Sequence, residues 1–258
     1  NSVTRAERTV YLYMNKTLKA LLAVAAVMMI VLSSIALLFW NGVILINNPS
    51  SAEFPVRGVD VSAYQGDIDW KTLASQNIDF AFIKATEGSN FTDKPFAFNF
   101  AEASKTSLRV GAYHFFSFES GGDTQAENFI KAVPKTENML PPVVDLEFYG
   151  NFSADNTNKE SVVSELNKML DALYEHYGMH PMIYTAEEEY SLFIDGGFEN
   201  NPIWIRGVYS KPKISDGRQW TFWQYTNRER LDGYNGSERF IDMNVFYGSK
   251  EDFARFGK

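Results

Sequence analysis

Cysteine is absent from the 258-residue sequence, and histidine occurs only three times, as His114, His176 and His180. Without cysteine the chain can form no disulfide framework and no thiolate metal site, and it has no thiol nucleophile. The histidines show no H-E-x-x-H or similar spacing, which disfavours a histidine-based metal site. The stability of the fold must therefore come from packing, for which 45% hydrophobic residues and 21 phenylalanines are ample.

Positive charge is also scarce, and part of it lies in the first 52 residues, which contain four basic residues and one acidic residue. The whole chain has a formal net charge of −8, so residues 53–258 carry about −11. A domain this acidic repels phosphate groups, and nucleic-acid binding is therefore disfavoured.

No charged residue interrupts the 21 residues from Ala20 to Trp40, "ALLAVAAVMMIVLSSIALLFW". As a helix this run is long enough to cross the roughly 30 Å hydrocarbon core of a membrane. The basic residues before it predict that the N-terminus stays in the cytoplasm and that the rest is exported. We therefore predict a cytoplasmic segment at residues 1–19, a transmembrane anchor at 20–46, a linker at 47–56 and an exported domain at 57–258.

Two other structures could produce the apolar run. A cleaved signal peptide is compatible with the small residues of "NNPSSAEF", but its apolar region usually has only about 7 to 15 residues. A buried helix of a soluble protein is disfavoured, because this run is apolar on all faces. Met14 is a natural start for such a segment, so the first 13 residues are interpreted as an upstream or non-native extension.

The exported part alternates short apolar runs with helix-like stretches, which is typical of repeated βα units. Helices are predicted at residues 69–77, 94–106, 123–133, 158–178 and 186–194. The later connections are too short and too polar for helices, so the barrel is expected to be irregular there. Eight strands are predicted, at residues 57–62, 79–85, 109–116, 141–147, 180–185, 202–206, 220–226 and 239–246.

Acidic residues recur near the ends of three of these strands. In "PPVVDLEFYG", Asp145 and Glu147 flank one leucine, and strand alternation puts both on the same face. A lone D-x-E is more often a strand running into a polar loop, but Asp60 ends the first strand and Asp242 lies on the eighth. A (β/α) barrel carries its reacting groups at the C-terminal ends of its strands. The first and eighth strands would be neighbours at the closure, so we expect the four acids to face one cleft.

Aromatic and amide side chains follow the same strands. Each aromatic residue alone is more often part of the core than of a ligand surface. Together with four acids, however, they have the composition of a site that stacks on sugar rings and hydrolyses the bond between them. The candidates for substrate contact are Tyr113, His114, Tyr184, Trp204, Trp223, Gln224 and Tyr225.

The ordered series "RGVDVSAYQG", "DFAFIKATEG", "GAYHFF", "PPVVDLE", "MIYT", "FWQYT" and "DMNVF" resembles the glycoside hydrolase family 25 lysozymes, N-acetylmuramidases that act on peptidoglycan. The resemblance covers about residues 57–247. It implies an α/β fold, an irregular, flattened (β/α) TIM-like barrel, which would follow a single N-terminal transmembrane helix. It also implies cleavage of the β-1,4 bond between N-acetylmuramic acid and N-acetylglucosamine. The motifs carry over Asp60, Asp145, Glu147 and Asp242 as catalytic acids, and no cofactor is implied.

Glycosidic cleavage needs an acid for the leaving oxygen and a group that stabilises the cationic sugar carbon. Glu147 is expected to be the acid, since the Asp145 carboxylate and an aromatic-lined pocket would raise its pKa. Two schemes remain open for the second group. The 2-acetamido group of the substrate attacks, oriented by Asp145, or a carboxylate acts directly as nucleophile or base. We favour the first scheme.

Asp60 and Asp242 are expected to orient the acetamido group, water or the other carboxylates, with the tyrosines as hydrogen-bonding partners. Alternatively, these two acids only support the barrel ends, paired with Lys84 or Arg206. Lys84 as a Schiff-base nucleophile is disfavoured, because no phosphate-binding glycine loop or other aldolase feature accompanies it.

The expected partners are peptidoglycan glycan strands and, through the N-terminal helix, a membrane. We expect a monomeric catalytic domain in the bacterial cell envelope, outside the cytoplasmic membrane, or a secreted protein if the N-terminal segment is cleaved. One alternative is a non-catalytic sugar-binding protein on the same fold, against which the four intact acids argue. A membrane-tethered phage-type lysis enzyme is another, although the large residues of the helix favour stable retention, and an interbacterial toxin also remains open.

Overall fold

The structure, a computed structural model, describes residues 4–258, which divide into two compact units between Leu45 and Ile46. The first unit is one long helix, α1 (Arg5–Trp40). Thr4 begins it with a capping box, in which its side chain accepts a hydrogen bond from the Glu7 amide and the Glu7 side chain accepts one in return. Such a box satisfies two amides that the first helical turn leaves unpaired.

Within α1, the stretch Tyr13–Trp40 is long and apolar enough to cross a membrane, judged by length and composition. The helix ends at Trp40 and is followed by Gly42 at φ +69°, a left-handed conformation that stops helices. The predicted anchor at residues 20–46 therefore extends beyond the end of the helix, and the helix itself begins earlier. Residues 1–3 of the predicted cytoplasmic segment lie outside the described residues.

Nine strands form one sheet in the second unit. Eight of them confirm the predicted strands, and the two-residue strand β3, which forms a hairpin with β2, was not predicted. The strands are β1 (Arg57–Val61), β2 (Phe80–Glu87), β3 (Phe91–Thr92), β4 (Arg109–Phe115), β5 (Val143–Leu146), β6 (Met182–Ala186), β7 (Ile203–Arg206), β8 (Phe222–Glu229) and β9 (Ile241–Phe246).

The sheet closes into a barrel of eight strands in the order β1, β2, β4, β5, β6, β7, β8, β9, because β1 pairs with both β2 and β9. Seven barrel strands, β1, β2, β4, β5, β6, β7 and β8, run parallel to one another. The eighth, β9, is antiparallel to both of its neighbours, β1 and β8. This confirms the irregular barrel. It also means that the beginning of β9 lies at the edge where the parallel strands end.

Helices lie between the strands on the outside of the barrel: α2 (Trp70–Ala74), α3 (Phe96–Ala103), α4 (Gly122–Ala132), α5 (Lys159–Tyr177) and α6 (Glu187–Glu189). These confirm the five predicted helices. The last of them continues as a π-helical turn, Tyr190–Ile194. The described chain has no helix between β7 and β9, as predicted, and it ends with an unpredicted helix, α7 (Lys250–Arg255).

Strand alternation gives the barrel two cores. Residues such as Ala81 and Ile83 face the helices, while Phe80 and Phe82 on the same strand point into the barrel. Each buried ring stabilises the fold by roughly 1.5–3 kcal/mol. Gly111 makes room for the inner rings, since a Cβ atom there would lie 2.5 Å from the Phe82 ring. Phe253 of α7 packs on Phe80 at 5.5 Å between ring centres, at the end of the barrel opposite to the strand ends.

Candidate functional site

Two acids meet where the barrel closes. Asp60 on β1 and Asp242 on β9 are directly opposite each other in the strand register. The Gln224 side chain on β8 donates from Nε2 to Oδ2 of both acids, at 3.0 Å each. Asn244 donates from Nδ2 to the same oxygen of Asp60 at 2.7 Å. Amide side chains therefore hold this pair of carboxyl groups in place.

Buried aromatic side chains orient those two amides. The indole of Trp204 donates from Nε1 to Oδ1 of Asn244 at 2.8 Å. The hydroxyl of Tyr184 donates to Oε1 of Gln224 at 2.9 Å. Since each amide oxygen is occupied by a donor, its NH₂ group must point toward the acids. The sequence-predicted residues Trp204, Tyr184 and Gln224 thus support the site from within the barrel.

Burial raises the pKa of both acids at the closure. The pKa of Asp60 rises to about 6, because desolvation outweighs the hydrogen bonds from Asn244 and Gln224 and the attraction of Arg206. Burial, followed by repulsion from Asp60, raises the pKa of Asp242 well above its usual range. The alternative prediction was that Lys84 or Arg206 pairs with these acids, and only Arg206 acts on them. Arg206 acts on them electrostatically, while Lys84 forms its ion pair with Glu87 at 2.8 Å.

Asp145 ends the inward face of β5, across the barrel from the closure, and Glu147 follows it. Asp145 is buried, and its Oδ1 has no hydrogen-bond partner. Burial and then repulsion from Glu147 raise the pKa of Asp145 well above its usual range. Burial raises the pKa of the half-buried Glu147 to about 7, against the attraction of Arg206. The pair therefore retains a proton near neutral pH, as a general acid requires.

A cavity of about 310 Å³ opens at this end of the barrel. It brings together three of the four predicted acids and the predicted Tyr113, whose pKa is raised well above its usual range by burial and then by the carboxylates. The fourth predicted acid, Glu147, is not among the described residues that line this cavity. The lining consists of Asp60, Val61, Ser62, Tyr64, Gln65, Lys84, Tyr113, Phe115, Asp145, Asn227, Glu238 and Asp242.

Of the seven residues predicted to contact substrate, only Tyr113 lines the cavity. Tyr184, Trp204 and Gln224 lie inside the barrel behind the acids, and the remaining three face the outer side of the barrel. His114 is fully buried on the outer face of β4, where Thr86 and Gln125 hydrogen-bond to its two ring nitrogens. Burial lowers its pKa to about 4. Trp223 and Tyr225 point outward from β8 into the core between barrel and helices. The prediction is wrong for these three because neighbouring residues on a strand face opposite sides. Since Tyr113 and Gln224 point into the barrel, the residues beside them on β4 and β8 point outward.

Several residues near the acids were not predicted. Phe115 lines the cavity two residues after Tyr113, so the same alternation identifies it. Arg206 likewise lies two residues after Trp204. It was predicted only as an alternative partner of Asp60 and Asp242, and in the structure its charge acts on Glu147 as well as on those two acids. Glu189 has no such signal, since it lies inside a helix-like run of three glutamates.

The acids form no metal centre: residues 4–258 contain no group of three or more His, Asp or Glu side chains arranged to hold a metal ion. Chemically the site consists of Asp60 and Asp242 on one side of a small cavity and Asp145 on the other, with Glu147 two residues after Asp145, and the pKa of each acid is raised. Such acids can donate and accept protons near neutral pH.

A closed barrel whose carboxyl groups gather at one end is the architecture of a barrel-type glycoside hydrolase. The family described as Glycosyl hydrolases family 25 matches residues 59–234. The chain belongs to this family.

Known proteins support this assignment. The structure of a family 25 glycosyl hydrolase from Bacillus anthracis matches with a TM-score of 0.77 and 54% identity, over 82% of this chain and 97% of that one. The protein YegX of Escherichia coli O157:H7 is 35% identical over 210 residues, which are 80% of this chain and 74% of YegX. Lysozyme M1 of Streptomyces globisporus is 31% identical over 208 residues, 75% of this chain and 68% of that protein. The predicted family and fold are confirmed.

Proposed function

We propose that the chain is a lysozyme that hydrolyses the β-1,4 bond between N-acetylmuramic acid and N-acetylglucosamine in peptidoglycan. The observation that carries the proposal is the pair Asp145 and Glu147, which retains a proton near neutral pH at the end of the barrel where the cavity of about 310 Å³ opens. The names of family relatives, Lysozyme M1 among them, support the same activity.

In the proposed first step Glu147 donates its proton to the glycosidic oxygen as the bond from that oxygen to the anomeric carbon breaks. The carbonyl oxygen of the substrate's acetamido group bonds to the anomeric carbon, and Asp145 accepts a hydrogen bond from the acetamido N–H. This N–H favours the ionised form of Asp145, so the shared proton moves to Glu147 when substrate binds.

In the second step a water molecule attacks the anomeric carbon, the bond to the acetamido oxygen breaks, and Glu147 takes the proton of the water. Two displacements at one carbon retain its configuration. Asp60 and Asp242 are assigned to the positioning of the acetamido group and the water, with Tyr113 as a hydrogen-bonding partner. The buried Tyr184 and Trp204 are assigned to the support of these acids.

We further propose that α1 anchors the enzyme in the cytoplasmic membrane and leaves the second unit outside. The uncharged run from Ala20 to Trp40 and the basic residues before it support this orientation. Alkaline carbonate extraction of membranes tests the proposal. An anchored protein stays in the pellet at full length, while release of a shortened protein with a new N-terminus in the region of residues 47–56 would identify a cleaved signal peptide.

The activity is tested with the full chain in detergent micelles on purified peptidoglycan, followed by reduction and mass spectrometry of the products. Glu147→Gln is compared with Glu188→Gln, which removes the same charge from an exposed site on α6. Products ending in reduced N-acetylmuramic acid, made by the control and absent with Glu147→Gln, support the proposal. Ends of reduced N-acetylglucosamine would reassign the bond, and no release from several wall types would favour a sugar-binding protein.

A further inference from the structure

A buried carboxylate outside the family motifs holds the peptide that follows Glu147. Glu189, the last residue of α6, is 7% exposed. Its Oε1 accepts a hydrogen bond from the backbone amide of Phe148 at 3.0 Å. Its Oε2 is also buried and has no partner. A carboxylate with an unpaired buried oxygen is costly for the fold, which calls for a role other than stability.

The π-helical turn after α6 adds a second contact to Phe148, the residue whose amide Glu189 holds. Phe193, four positions after Glu189, packs its ring edge-on against the ring of Phe148 at 5.8 Å between centres. Phe118 contacts both rings, at about 6.0 Å each. Phe148 is therefore held through its backbone and through its side chain by one short segment. π-helical turns of this kind occur frequently at functional sites.

We propose that Glu189 is a positioning residue, whose carboxylate fixes the peptide bond after Glu147 and repels the negative charge of ionised Glu147. The proposal rests on the proposed function, in which Glu147 is the general acid. No family motif in the sequence contains Glu189.

The charges around Glu147 come from several elements of the barrel. Arg206 on β7 lowers the pKa of Glu147, whereas Glu189 on α6 and Asp60 on β1 raise it. Asp145 on β5 titrates together with it, and the buried Tyr184 and the acid Asp242 also face it. Glu189 thus opposes Arg206, which alone would favour loss of the proton that the first step needs.

The test compares Glu189→Gln with Glu188→Gln in the full chain in detergent micelles. Glutamine keeps an oxygen that can accept from the Phe148 amide but has no charge. Glu188 is exposed one position earlier, so its variant controls for the loss of one charge. A third variant, Glu189→Leu, removes both the charge and the acceptor. The rate of release of reducing ends from peptidoglycan is measured from about pH 4 to pH 9.

In Glu189→Gln we expect the alkaline limb of the rate profile to shift to lower pH by about half to one pH unit, because the loss of a nearby negative charge makes Glu147 easier to ionise. Near pH 8 this is a loss of about threefold to tenfold, with rates near pH 5 within about twofold of wild type. Glu189→Leu should in addition lose activity at all pH values. A limb unchanged in Glu189→Gln, or an equal loss at every pH, overturns the proposal.

Failure of the proposed function is recognised separately, because wild type would then release no reducing ends. In that case carboxyl ¹³C resonances of glutamate are titrated in the same variants, with Glu147 assigned by Glu147→Gln. A lower titration midpoint for Glu147 in Glu189→Gln, unchanged in Glu188→Gln, supports the inference without any enzyme assay. An unchanged midpoint overturns it.

Discussion

Glu147→Gln is expected to stabilise the protein at neutral and alkaline pH. Burial raises the pKa of Glu147 from 4.5 to about 7. A carboxyl group whose pKa is higher in the folded than in the unfolded state binds its proton more tightly when folded. Stability is therefore full below about pH 4.5 and is lost as the pH rises to about 7, where the folded protein must accommodate a buried charge.

The size of this loss follows from the same pKa values. One pKa unit corresponds to about 1.4 kcal/mol, so ionising Glu147 in the folded state costs about 3 kcal/mol. Glutamine has nearly the shape of the protonated acid and cannot ionise. We therefore expect the variant to unfold with a free energy about 3 kcal/mol above wild type near pH 8 and close to it near pH 4.5.

Urea unfolding of the full chain in detergent micelles, followed by near-ultraviolet circular dichroism, measures this difference. Glu188→Gln, which changes an exposed carboxylate, should follow wild type at every pH. The reasoning is refuted if Glu147→Gln and wild type show the same dependence on pH, or if the variant is the less stable protein near pH 8. Either result would mean that Glu147 is solvated in the folded protein.

Three further outcomes are expected. Gly111→Ala should lower the midpoint of thermal unfolding and destabilise by about 1–3 kcal/mol, since its Cβ would lie 2.5 Å from the Phe82 ring. Trp204→Phe should leave the Asn244 oxygen unpaired, cost about 1–3 kcal/mol in urea unfolding and reduce the rate of wall digestion. Trp223→Phe, which changes only the outward face of β8, should digest peptidoglycan within about twofold of the wild-type rate.

Periodicity and turn residues were sufficient to predict most of the fold. The eight barrel strands were identified because each is a short apolar run between helix-like or polar stretches. The direction of β9 was not predictable in this way, since a strand pattern is the same in either direction. The two residues of β3 are too few to show a pattern, and their pairing with β2 depends on the chain between them.

Strand alternation in the sequence put Asp145 and Glu147 on one face; the structure places Asp145 at the cavity and Glu147 just past the end of β5, and their catalytic roles stay predictions. The prediction failed where adjacent residues were assigned to one face, as with Tyr113 and His114. Glu189 could not be found from sequence, because its contact with Phe148 joins residues 41 positions apart. The two residues come together only in the folded chain, where the Phe148 amide donates to the Glu189 carboxylate.

The closure of the barrel has a consequence for the timing of assembly of the site. The hydrogen bond from Asn244 to Asp60 joins residues separated by 184 positions. Asp60 and Asp242 can therefore meet only after β9 has been synthesised and has left the ribosome. Contacts of such long sequence separation form late and slowly in folding. A nascent chain that lacks β9 therefore has neither Asp242 nor the Asn244 side chain that holds Asp60, so the carboxyl pair at the closure assembles only after β9 has emerged.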